Sequence, residues 1–155
     1  MTILDAIIRV IHVLVGAGWL GSVYFSLTVL HPQGKALFEE EADFEQFVTG
    51  LSDGNRWRVL SAFGATFVTG MILVALNAHH LTKPVWLGIV VAKTIIFFCA
   101  LSVFYYVSWR LWPARLFAIA SEYEHFQRRG TIMRTTSLIL VGVDMALGVL
   151  LHLYV

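Results

Sequence analysis

The stretch VWLGIVVAKTIIFFCALSVFYYVSW, residues 85–109, decides the fold, because one charged side chain, Lys93, interrupts an otherwise uncharged run that starts directly after Pro84. Wound as an α-helix, such a run rises about 1.5 Å per residue and crosses the roughly 30 Å of hydrocarbon in a bilayer. Working outward, residues 59–78 form a second apolar run, closed by Asn77, His79 and His80. The segment 135–155 forms another, broken by Asp144 and by His152 near its end. Toward the N-terminus, residues 10–30 carry no Asp, Glu, Lys or Arg, and His31-Pro32 reads as a natural stop.

The rest of the composition agrees. Of 155 residues, 58% are hydrophobic and only 14% charged, where a soluble domain of this size carries roughly a quarter charged residues. Mean hydropathy is +0.76. These values predict an all-α chain, an integral membrane four-helix bundle with short cytoplasmic helical extensions. It forms one domain over 1–155, with spans at about 6–30, 59–78, 85–109 and 135–155. The lipid bilayer is the first partner this implies. A net charge of +1 with no basic stripe excludes nucleic acid as a partner. The single cysteine, Cys99, excludes an internal disulfide and a Cys-rich metal site. Residues 1–6 contain Asp5 and no Lys or Arg, unlike the basic start of a secretory signal, so the first segment reads as a retained span.

Four spans place both termini on one side. The first and third connections carry Lys35, Arg56, Arg58, Arg110, Arg115, Arg128, Arg129 and Arg134, whereas the terminal side has only Arg9 and Lys83. Cytoplasmic connections are enriched in Lys and Arg. The expected topology is therefore a multi-pass protein of the inner (plasma) membrane with both termini periplasmic. Both cytoplasmic connections read as helical. In the first, Leu37, Phe44, Phe47, Val48 and Leu51 recur opposite Glu39, Glu40, Glu41 and Glu45, up to Asp53-Gly54. In the second, Trp112, Leu116, Ile119, Tyr123 and Phe126 repeat every three to four residues, which extends the third span past Pro113 into the cytoplasm. A partner protein, or a second copy of the chain, would use these helices or the outer helix faces. Trp86, Trp109 and Trp112 read as interfacial belt residues.

An ionisable group in hydrocarbon is costly unless it faces the interior, pairs or reaches water, so each one marks a candidate site. Counting from the outer helix ends, His12 and Lys93 lie roughly 12 Å deep and Asp144 roughly 16 Å deep. Arg9, His152, His79 and His80 lie nearer the surface. On the first helix His12, Gly16 and Trp19 share a face, and Gly18 and Gly21 predict close approach by a neighbouring backbone. Asp144, Gly148 and His152 share a stripe of the last helix, from which the carboxylate orients an imidazole or neutralises Lys93. Two plainer readings stand beside this one: a purely structural Lys93–Asp144 pair, and a His12 that only bonds a carbonyl or the Trp19 indole across the bundle.

The segment from His12 through Trp19 to Leu20-Gly21, with histidine and tryptophan seven apart, resembles the first helix of copper-resistance D (CopD) membrane domains. It is also similar to HemJ, the haem-binding protoporphyrinogen oxidase family. Weaker likeness extends to Thr69-Gly70, Lys93, the exit from Trp109-Arg110 to Pro113, and Arg134. The resemblance implies a four-helix bundle handling a metal or haem from its periplasmic side. In it, His12 takes the position of the HemJ histidine implicated in haem ligation and Lys93 that of its functional lysine. The chain departs from HemJ at Tyr24-Phe25-Ser26, where that family has a Pro-Arg pair, and from CopD in the acidic Glu39–Glu45 connection.

Three functions follow as expectations. One is a redox or electron-transfer protein binding haem b, as an enzyme a haem-dependent oxidoreductase. Its cofactor site would comprise His12 as axial ligand, Lys93 or Arg9 at a propionate, and Trp19 and Asp144 alongside. The second is copper transport or resistance, with His12, His152, His79 and His80 as a ladder of metal ligands. The third is a non-catalytic accessory subunit whose buried charges are structural.

Overall fold

The computed structural model describes residues 3–52, 54–118 and 120–152; of Lys35, Glu41, Ser52, Leu116 and Ala120 it describes the backbone alone, and Asp53 and Ile119 lie outside the described residues. Every long apolar run is a helix, and among the described residues there is no strand. Four helical stretches, Ile3–Gly34, Asn55–Leu76, Pro84–Arg115 and Tyr123–His152, are long and apolar enough to cross a membrane.

The sequence of elements is α1 (Ile3–Phe25), α2 (His31–Leu37), α3 (Glu41–Ser52), α4 (Asn55–Leu76), α5 (Pro84–Tyr106), α6 (Trp112–Leu116) and α7 (Tyr123–His152). A short 3₁₀ turn, Ala78–Thr82, joins α4 to α5. Backbones of α1 and α4, α1 and α7, and α5 and α7 pack directly. Between α4 and α5 aromatic rings fill the gap: Phe63 meets Phe97 and Phe104 at 5.5 and 5.4 Å, and Phe67 stacks on Phe97 at 5.8 Å. Leu14, Val68, Ile95 and Val149 point outward, all more than half exposed. Asp5, Thr66, Thr69, His80 and Arg115 are buried. Polar inside and apolar outside is the arrangement lipid imposes and water would reverse.

Pro32 does not stop the first helix, contrary to the expectation from His31-Pro32. Proline lacks the donor for the i→i−4 bond, and its ring crowds the carbonyl four residues back. In both membrane helices that contain an internal proline, the preceding turn widens to a π turn. Ser26–Leu30 leads into His31-Pro32, and Val107–Leu111 leads into Trp112-Pro113. The His31 N–H donates to the Ser26 carbonyl and that of Trp112 to the Val107 carbonyl, each five residues back. The added residue carries the helix past the proline.

A second correction concerns the other long connection. The third span ends at Leu116, with a turn at Phe117 and Ala118, so Tyr123 and Phe126 open the last helix instead of extending the third. The last span therefore starts about three turns before residue 135. A repeat with helical spacing cannot by itself say which of two flanking helices it belongs to.

At the end away from the termini, α3 folds back onto α2 and α4. Phe44 is 1% exposed and sits edge-on to His31. A Cβ on Gly34 would lie 2.5 Å from the Phe44 ring. Gly34→Ala is therefore expected to lower stability by about 1–3 kcal/mol, the usual cost of overpacking a filled core, read as a lower thermal midpoint in detergent. Glu45, placed by the sequence on the acidic side opposite the apolar residues, does not stay apart from the bundle. It turns into the bundle and pairs with Arg115, whose guanidinium is buried. Trp86, read as a belt residue, is 2% exposed beneath the Ala78–Thr82 turn.

Candidate functional site

His12 on α1 is held by α4. Its Nδ1 lies 2.8 Å from Thr69 Oγ1, and the Thr69 hydroxyl lies 2.6 Å from the Ala65 carbonyl one turn back. A hydroxyl has one proton, and a carbonyl can only accept. The Thr69 proton therefore goes to Ala65, and His12 Nδ1–H donates to Thr69 Oγ1. With the proton on Nδ1, Nε2 carries the lone pair. The ring lies over Gly70, where a Cβ would come within 3.3 Å of Cε1.

Lys93 on α5 reaches α7. Its Nζ donates to Asp144 Oδ2 at 2.9 Å and to the Asp144 backbone carbonyl at 2.6 Å. Gly148, one turn further along, makes room, since a Cβ there would lie 3.3 Å from Nζ. Side-chain exposures of 18% and 19% leave both partners largely out of contact with solvent or lipid. Asp144 Oδ1 is buried and has no hydrogen-bond partner among the described residues.

These three groups border one cavity of about 290 Å³, together with Arg9, Trp19 and His152. Its walls are otherwise apolar, from Phe97, Val141 and Met145 among others. A smaller cavity of about 190 Å³ shares His12, Lys93 and Asp144 and reaches Gly70 and Met71. Trp19 closes the wall against Phe63, with ring centroids 4.1 Å apart.

Arg9 stands at the terminal end of the larger cavity. It bonds both Asp5 oxygens, at 3.1 and 3.3 Å, and its Nη1 lies 2.8 Å from His152 Nδ1. Guanidinium can only donate, so His152 Nδ1 accepts and its Nε2 carries the proton. Asn77 donates to Asp5 at 3.0 Å, which ties α4 to the same end. The cavity thus runs from an Arg9–His152 mouth to the Lys93–Asp144 pair, with an imidazole lone pair between them.

His79 and His80 are elsewhere, in the turn between α4 and α5, and neither borders either cavity. Their rings are 3.9 Å apart, and His80 packs toward Trp86. Among the described residues no three His, Cys, Asp or Glu side chains cluster as a metal site. Burial of His80, with His79 and Lys83 nearby, holds its imidazole below the ordinary histidine value. The unfolded chain then binds the extra proton more readily, so this contribution to stability is complete above about pH 6.5 and is lost as pH falls below it. The thermal midpoint of wild type relative to His80→Gln should accordingly decline between pH 7.5 and 5.

Sequence reading missed Thr69 as the partner of His12. It also expected a tight seam at Gly18 and Gly21, where a Cβ would meet nothing within 4 Å. The glycines that create room at the site are Gly70 and Gly148 instead. Compared with family models, curated protein sequences and solved structures, the chain matches none.

Proposed function

We propose that this chain is a CopD-like protein of the plasma membrane that holds haem b in the cavity between α1, α5 and α7. The observation that carries the reading is the 2.8 Å contact between His12 Nδ1 and Thr69 Oγ1. An imidazole whose Nδ1–H is spent on Thr69 offers a lone pair at Nε2, the arrangement that second-shell bonding gives to metal-ligating histidines. The donor set suits a porphyrin better than a copper conduit, because the cavity offers one free imidazole nitrogen, cationic side chains and apolar walls. His152 presents a proton in its present pairing, and His79 and His80 lie apart from the cavity.

In this reading His12 would ligate the haem iron, Trp19 and Phe97 would pack against the porphyrin, and Lys93 and Arg9 would pair with its propionates. Bound haem would supply one-electron redox chemistry. The protein's own part is to fix the imidazole through Thr69, to pair Lys93 with Asp144, and to exclude bulk water by apolar walls. The orphan Asp144 Oδ1 is an acceptor left for a ligand group or a proton. The Lys and Arg bias of the connections supports an outward-opening site, with Arg9 and His152 on the periplasmic side.

Protein purified from cells supplied with haem should be red, with a Soret band. His12→Ala should lose the band while keeping its helical circular dichroism. Colourless wild-type protein under the same supply overturns the assignment.

A further inference from the structure

A separate cavity, of about 170 Å³, lies at the end of the bundle away from the termini, and the haem reading makes no use of it. It is bordered by His31, Leu111, Arg115, Gly130 and Arg134. Two guanidinium groups reach it and one carboxylate answers them. Arg115 pairs with Glu45 and lies 5.6 Å from the Trp112 ring centre. Glu45 also accepts from Gln127 at 3.4 Å through the same oxygen, Oε1, that receives Arg115, so one carboxylate is shared between two guanidinium groups. Among the described residues Arg134 has one hydrogen bond, at 3.3 Å to the neutral Thr131 hydroxyl, and its Nε is buried without a partner there. Leaving a guanidinium there without an anion is unfavourable, because a partly desolvated charge gains stability only from a counter-charge.

Position identifies the anion. Arg134 lies about 27 Å along α7 from His152 at 1.5 Å per residue. Side chains on a helix lean toward its N-terminus, and here Arg134 passes over Gly130, where a Cβ would sit 3.4 Å from Nη1. That lean carries the guanidinium to roughly one hydrocarbon thickness, about 30 Å, from the terminal end of the helix, at the border where the headgroup layer begins. The planar fork of arginine matches phosphate oxygens. Both π turns border the same cavity, through Ser26 and Leu30 and through Val107 and Leu111, and such turns recur at functional sites.

We propose that Arg134, flanked by Arg115, binds a phosphate-bearing anion at this end of the bundle, delivered by the headgroup of a phospholipid in that leaflet. The test uses the full chain in a detergent with an uncharged headgroup. It is titrated separately with phosphatidylglycerol, with a diacylglycerol of the same chains, and with inorganic phosphate, and followed by native mass spectrometry and thermal midpoint. The expected result is one phosphatidylglycerol per chain with a raised midpoint, no effect of diacylglycerol, and a loss of affinity of roughly tenfold or more in Arg134→Gln, the scale of one charge-assisted bond. Stabilisation by inorganic phosphate that disappears in Arg134→Gln also supports the phosphate site and identifies a soluble source. Glu45→Gln, which frees Arg115, should tighten binding and keeps the test decisive if Arg134→Gln does not fold. Equal response to diacylglycerol, no response to either phosphate compound, or phosphatidylglycerol binding unchanged in Arg134→Gln and Glu45→Gln overturns it.

Discussion

Replacing Lys93 or Asp144 alone by alanine is expected to cost about 3–5 kcal/mol of stability, whereas replacing both by apolar residues, Lys93→Met with Asp144→Leu, should recover most of it. The reason lies in the geometry. Nζ spends two bonds on Asp144, and both side chains are more than four-fifths buried. Removing one partner leaves an uncompensated charge within the span, while removing both leaves neither desolvation cost nor attraction. Unfolding in mixed micelles, followed by helical circular dichroism, measures the three variants and their coupling. The double variant also separates two roles. If the pair is purely structural, the stable double variant binds haem as tightly as the wild type. If Lys93 serves an anionic cofactor, the double variant is stable yet binds haem more weakly.

The second large effect concerns His12. Thr69→Val keeps the shape of the side chain but removes the acceptor for Nδ1–H, and is expected to weaken haem affinity by about 10–100-fold, the usual cost of losing the group that orients a ligand. His12→Ala should abolish the Soret band. Thr69 is 8% exposed and, among the described residues, His12 is its one side-chain partner, so Thr69→Val should leave the fold intact. A haem titration of both variants checks the ranking, with Thr69→Val intermediate and His12→Ala lowest.

The spans were legible because twenty apolar residues in a row have few other uses, and Lys93 and Asp144 stood out against them. Counting 1.5 Å per residue was enough to bring His12, Lys93 and Asp144 to one level, and all three border one cavity. What the count could not supply was partners. A threonine inside a helix looks the same in sequence whether it bonds only its own Ala65 carbonyl or also receives an imidazole from a neighbouring helix. Glycines mislead for a similar reason. Gly18 and Gly21 have the spacing of a packing seam but face open space, whereas Gly70 and Gly148 give way to side chains from other helices. Helix ends were the other gap, because a proline terminates a regular α-helix but not one that widens into a π turn before it. Glu45 sits within an acidic run, and only the fold-back of α3 brings it to Arg115.

The most direct test of the account is ¹⁵N NMR of histidine-labelled protein in micelles, with His12 assigned by substitution. The account predicts protonated Nδ1 and unprotonated Nε2 for His12, a preference lost in Thr69→Val, and an Nε2 signal that moves or broadens when haem is added. A His12 with the proton on Nε2, or one indifferent to both Thr69→Val and haem, would contradict it.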